Sequence, residues 1–177
     1  GEKLRVIHTR HEQGAAYMAM GYAASTGRVG CCAVVPGPGV LNTTAALCTA
    51  QSRNDKVLII AGQIPSNLIG RGMGLLHEIP DQLGILKTLT KWAGRARAPV
   101  EVPGLVGEAF RQMLSGRPGP AALEVPMDVL GQKAELADPV AAQADPRPPV
   151  DRQAVAEAAK ILGAAERPLI VVGSGAV

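Results

Sequence analysis

The chain has 177 residues, 47% of them hydrophobic and only 2% aromatic, with a formal net charge of +3. That length holds one domain and the edge of another. No Lys/Arg run and no interleaving of basic and aromatic residues supports nucleic-acid binding, and no stretch has the ~18 apolar residues of a membrane span or the pattern of a signal peptide. With so few aromatics (Tyr17, Tyr22, Trp92, Phe110) the packing falls to Ala, Val, Leu and Ile, which suits helices laid closely on a sheet. Cys31, Cys32 and Cys48 form an odd set without C-x-x-C spacing, so neither a disulfide framework nor a zinc site is expected. They read as small buried hydrophobes in a reducing, cytoplasmic setting.

Taken in order, the elements alternate. A β-branched run predicts a strand over 5–9, and a segment rich in Ala and Gly predicts a helix over 13–25, opened by the acid Glu12. Small residues go most of the way round that helix, so it is expected to be packed on several sides. A strand over 30–35, the turn Pro36-Gly37-Pro38-Gly39 and a helix over 40–52 follow, then the apolar strand 57–62. Continuous apolar strands separated by helices mark an α/β fold, a parallel sheet with helices on both faces. A long glycine-rich loop over 65–80 comes next, long enough to suspect function. A short helix over 81–86, a strand over 92–96, a helix over 103–115 and a last strand over 120–125 complete the pattern. Residues 132–150 have no periodicity, and Asp145-Pro146-Arg147-Pro148-Pro149 reads as a stiff linker. A helix over 152–163 and a strand and turn over 169–175 then look like the truncated start of a second α/β domain. The expected division is a domain over 1–131, a linker over 132–150 and a second domain from 151. The chain begins at Gly1 with its first strand almost at once, so a segment of a longer protein is expected.

Four features can carry chemistry. Glu12 sits in a first helical turn, where an acid is common and is favoured by the helix dipole. The 36–39 turn joins a strand end to a helix start. On geometry alone it is an anion site, with free N–H groups and glycines that let a ligand approach. It is not the G-x-G-x-x-G fingerprint, which disfavours a dinucleotide. Gly62-Gln63-Ile64-Pro65 is a second strand-end loop on the ligand side of an open sheet. His77, beside Glu78 in the long loop, is either a surface histidine or an acid/base group.

Four motifs in register resemble the pyrimidine-binding domain of thiamine-diphosphate enzymes, nearest to the acetolactate synthase (acetohydroxyacid synthase) branch. They are His11-Glu12-x-x-Ala15 with Gly21-Tyr22-Ala23; Pro36-Gly37-Pro38-Gly39-x-x-Asn42; Gly62-Gln63-Ile64-Pro65; and Ser115-Gly116-Arg117-Pro118-Gly119-Pro120 running on through Leu123-Glu124-Val125-Pro126-x-Asp128-Val129. The resemblance covers about residues 5–129, and 169–175 is similar to the opening of that family's central domain.

What the resemblance implies is specific. Glu12 would hydrogen-bond N1′ of the cofactor's aminopyrimidine and so help to remove the thiazolium C2 proton, a task that needs a site poor in water. Pro36, Gly37, Pro38 and Gly39, with Asn42 and Gln63, would line the cofactor, the turn serving the pyrimidine ring rather than a phosphate. The diphosphate and its Mg²⁺ would be held by another domain, usually of a neighbouring subunit, so no metal ligands are expected here. A homodimer or tetramer is implied. Acetolactate synthases also hold FAD in the central domain, which leaves FAD open here. The implied substrate is a 2-oxo acid such as pyruvate, decarboxylated and then ligated to a second carbonyl. Acetolactate synthases usually carry Phe-Gln-Glu where this loop has Leu76-His77-Glu78, so His77 puts the substrate in question. A sister decarboxylase or acyltransferase, or a non-catalytic dimerisation domain of the same fold, stays open.

Overall fold

The computed structural model describes residues 5–136, 138 and 140–173. In chain order the elements are α1 (Glu12–Thr26), β1 (Gly30–Val34), α2 (Pro38–Arg53), β2 (Val57–Gln63), α3 (Gln82–Leu89), β3 (Trp92–Arg95), α4 (Val102–Leu114), β4 (Ala121–Pro126), the short α5 (Met127–Leu130) and α6 (Arg152–Ala164). The four strands form one sheet in the order β1-β2-β4-β3, and every pair is parallel. The expected α/β class with a parallel sheet is therefore observed.

The faces follow from the two-residue period of the strands. Val57, Ile59, Ala61 and Ala122 point to one face and pack with Ala16, Ala19 and Ala23 of α1, Val40, Ala46, Leu47 and Ala50 of α2, and Leu86 of α3. Leu58 and Ala121 point to the other, against Ala109 and Met113 of α4. The step from β1 to β2 runs one way across the sheet and the step from β3 to β4 runs back. A constant crossover hand then sends α2 and α4 to opposite faces.

Several expectations need correction. Residues 5–9 form no strand: β-branched residues favour a strand only beside a partner edge, and these make no ladder among the described residues. The same holds for 169–173, while 174 and 175 lie outside the described residues. Helix α1 is packed on one side only. Ala16, Ala19 and Ala23 are its buried residues, while Tyr17, Met18 and Tyr22 are exposed. Two of the three cysteines, Cys31 and Cys48, are exposed. Cys31 points to the face that α4 covers, but α4 packs over β2, β4 and β3 and not over β1. Cys32 is buried, and burial pushes its thiol up to about 12.

The chain divides into two compact units between Asp145 and Pro146. Asp145 belongs to the first because its N–H donates to Ser115 Oγ (2.8 Å) and its carboxylate accepts from Arg111 Nη1 (2.5 Å). In the second unit, Asp151 caps α6 by accepting from Gln153 N and Ala154 N, and no residue of that helix is buried. Among the described residues no helix is long and apolar enough to cross a membrane.

Helix α1 lies hard against the start of β1. A Cβ on Gly30 would stand 1.9 Å from the Ala19 carbonyl oxygen, whereas one on Gly21 would meet nothing within 4 Å. Gly30→Ala is expected to cost about 1–3 kcal/mol by overpacking. Gly21→Ala, within α1, is expected to stabilise by about 0.5–1 kcal/mol through helix propensity. Urea denaturation of both variants checks the pair of signs.

Candidate functional site

Parallel strands bring all their carboxyl ends to one edge of the sheet, where open α/β folds bind ligands. The segments singled out in the sequence meet there. His11 caps α1, its Nδ1 accepting from Gln13 N at 3.1 Å, and Glu12 is the first helical residue. From the start of α2, Asn42 Nδ2 donates to Glu12 Oε2 at 2.9 Å. That bond, and then the residue's own main-chain N–H, hold the Glu12 carboxyl below its ordinary range. Glu12 is half-buried, so this chain by itself does not supply the water-poor setting expected for it. The Ala-rich side of α1 faces the sheet, and the carboxylate sits at the helix's open end.

The 36–39 turn is built around Gly37, which caps α2 with φ 62° and ψ −116°. A Cβ there would lie 2.5 Å from the carbonyl oxygen of His77 and 2.9 Å from its Cα. Only glycine fits, and the structure thereby joins two segments that the sequence had kept apart. His77 itself has φ 71°, an uncommon conformation for a non-glycine residue, held by the loop around it. Glu78 fastens that loop by accepting from Leu75 N (2.9 Å) and Gly72 N (3.1 Å). The half-buried His77 is flanked by Leu76, which is 84% exposed. Asp128 in α5, just past β4, accepts from Ser66 N (2.9 Å) and Ser66 Oγ (2.6 Å), and these bonds lower its pKa.

The turn's own hydrogen bonds narrow what it offers an anion. Pro38 has no N–H, and the Gly37 N–H is already given to Gln82 Oε1 at 2.8 Å. An anion that used the Gly37 N–H would have to displace that bond.

Gln63 is turned inward rather than toward the rim. It is 3% exposed, with Nε2 donating to Glu124 Oε1 (2.8 Å) and Oε1 accepting from Ile64 N (2.8 Å). Glu124 is fully buried in β4 and also accepts from Gln82 Nε2 (2.7 Å) and, through Oε2, from Arg95 Nε. Gln82 completes the cluster by donating to Gly62 O (2.8 Å) as well. Sequence reasoning missed Glu124, Gln82 and Arg95 as members of the site. The available signal was one carboxylate within an otherwise apolar strand, which must be paired if it is buried.

The Glu12–Asn42 bond has a measurable consequence. Because the folded pKa is lowered, the bond's contribution to stability is present above the ordinary carboxylate value, about 4, and is lost as pH falls through the lowered one. Asn42→Ala is expected to return the Glu12 titration toward its ordinary value. An NMR pH titration of the Glu12 side-chain carboxyl carbon reads it directly.

Residues 1–85 match the family model for the thiamine pyrophosphate enzyme N-terminal domain that binds the cofactor. A probable 2-ketoarginine decarboxylase of Pseudomonas aeruginosa is 37% identical across 100% of this chain and 32% of its own length. An acetolactate synthase of Arthrospira platensis is 38% identical over 95% of the chain and 29% of its own length. The large subunit of acetolactate synthase isozyme 1 of Escherichia coli is 33% identical over 99% and 31%. The chain thus spans about a third of the length of these relatives. With the parallel sheet and the four motifs in register, these likenesses mean that the chain belongs to the thiamine-diphosphate-dependent enzymes, in their N-terminal domain and on the acetolactate-synthase-like branch.

Proposed function

We propose that this chain forms the pyrimidine side of a thiamine diphosphate site in an enzyme that decarboxylates a 2-oxo acid and ligates the product to a second carbonyl. The observation that carries the reading is the meeting of Glu12, Asn42, the Gly37 turn and the His77 main chain at one sheet edge. The residues fit the cofactor. A carboxylate can accept about four hydrogen bonds, and Asn42 and the residue's own N–H leave Glu12 with lone pairs for the N–H of a protonated ring nitrogen. Gly37 lets the ring come close to main chain.

When bound, thiamine diphosphate supplies the nucleophilic carbon chemistry that releases CO₂ from a 2-oxo acid. Glu12 holds a proton between its carboxylate and N1′ of the aminopyrimidine. Asn42 fixes the direction of that carboxylate. The 36–39 turn supports the ring, and Gln63 keeps the neighbouring strand end in place through Glu124. A covering surface from a diphosphate-binding domain dries Glu12 and raises its proton affinity, since desolvation disfavours the charged carboxylate. Mg²⁺ belongs to that other domain, and the complete site forms between subunits of a dimer or tetramer. FAD, if bound, belongs to the domain that begins with the second unit. The free thiols of Cys31, Cys32 and Cys48 fit a reducing, cytoplasmic setting.

A second reading rests on His77. Acetolactate synthases carry Gln at the matching place, and a relative 37% identical over the whole chain is named a probable decarboxylase. A plain 2-oxo acid decarboxylase would release an aldehyde where a synthase would release acetolactate. His77→Ala is expected to shift the ratio of these products in the full-length enzyme supplied with pyruvate. An unchanged ratio at normal turnover makes His77 a loop residue without a chemical role.

Glu12→Gln tests the main reading. In the full-length enzyme it is expected to keep the fold while slowing exchange of the cofactor's C2 proton by about 10²-fold or more, the usual scale of acid–base assistance. Exchange followed by NMR after acid quench is the measurement.

A further inference from the structure

We propose that Gln82, carried by Glu124, is a positioning residue that sets the height of the Gly37 turn against the bound cofactor. The proposal rests on the reading that this turn receives the aminopyrimidine, and it assigns the residues that hold the turn in place. Gln82 is a buried member of the site, 1% exposed, and all of its amide bonds are spent on placement. Its Oε1 takes the Gly37 N–H (2.8 Å), while its Nε2 is shared between Gly62 O (2.8 Å) and Glu124 Oε1 (2.7 Å). One side chain of α3 therefore ties the turn after β1 to the end of β2 and the body of β4.

The Glu124 carboxylate fixes the orientation of that amide. As an ion it accepts only, so Gln82 must present Nε2 to it and leave Oε1 for Gly37. The register of the sheet sets Ala61 of β2 and Arg95 of β3 directly beside Glu124. Gln63 and Arg95 complete its hydrogen bonds from both neighbouring strands. A buried carboxylate bonded by three side chains costs far less than an unpaired one. No buried side-chain polar atom among the described residues is left without a partner.

Close packing makes the clamp consequential. Behind the turn, a Cβ on Gly62 would stand 2.9 Å from Pro36 Cδ, and above it the His77 main chain rests on Gly37. The turn has contacts on both sides and a single amide bond that sets where it stops. Removing that bond lets the turn move without breaking the sheet, so the effect falls on cofactor binding.

The test uses the full-length enzyme with thiamine diphosphate and Mg²⁺. Gln82→Leu is expected to raise the apparent KM for the cofactor about tenfold, with kcat at saturating cofactor kept within about threefold, the pattern of lost uniform binding. Gln82→Glu, which keeps an oxygen for the Gly37 N–H but sets a second carboxylate against Glu124 Oε1, is expected not to recover the affinity. Leu86→Val, in the same helix and fully buried, lowers the melting temperature by packing alone and is expected to leave the cofactor KM where it was. A Gln82→Leu enzyme whose KM moves no more than that of Leu86→Val overturns the proposal. Should Gln82→Leu not fold, the Gly37 amide of the unmodified protein decides by hydrogen exchange. Protection like that of β2 amides is expected, and exchange at the rate of an open turn overturns the clamp. Normal C2 proton exchange in Glu12→Gln alongside a raised KM in Gln82→Leu would reject the Glu12 role and keep the clamp.

Discussion

The rest of the site depends on a carboxylate in the middle of the core. Glu124 lies in β4 with no solvent exposure, and it is bonded by Gln63 of β2, Gln82 of α3 and Arg95 of β3. An apolar residue there would pack as well and would join nothing. The charge requires donors, and each donor comes from a different element at the carboxyl edge of the sheet. Satisfying Glu124 therefore fixes the relative positions of three elements, and through Gln82 Oε1 it reaches the turn after β1.

The second constraint is close approach. Gly30 admits α1 to β1, Gly62 admits the Pro36 ring, and Gly37 admits the His77 main chain. These glycines set how far Glu12, at the open end of α1, stands from the turn at the start of α2. The Asn42 bond then spans that gap at 2.9 Å. The glycine contacts bound how close the segments of the rim can come, and the polar hub beneath, through Gln82, sets where the turn stops.

Much of this was legible in the sequence where the signal is local. The apolar run Val57-Leu58-Ile59-Ile60-Ala61 announces a buried parallel strand, and Pro36-Gly37-Pro38-Gly39 announces a turn into a helix. The hub was not legible, because its partners are 61, 42 and 45 positions apart along the chain for Gln63–Glu124, Gln82–Glu124 and Gly37–Gln82. Nor does composition tell a helix packed on one face from one packed all round when Ala and Gly supply every side, as in α1. Residues 5–9 misled for the opposite reason. Their β propensity is real, but a strand exists only with a neighbour to pair with. The turn was first open to an anion because a helix start offers N–H groups. Only the fold shows that the Gly37 N–H is already taken.

The account's central claim is that this sheet edge receives the ring of the cofactor and leaves its phosphates to another domain. A crystal structure of the full-length enzyme with thiamine diphosphate and Mg²⁺ tests it most directly. The account predicts the aminopyrimidine against the Gly37 turn, with N1′ in hydrogen-bond reach of Glu12 and the Gly37–Gln82 bond intact. Electron density for the diphosphate at the 36–39 turn, with the Gly37 N–H turned from Gln82 to a phosphate oxygen, would contradict it.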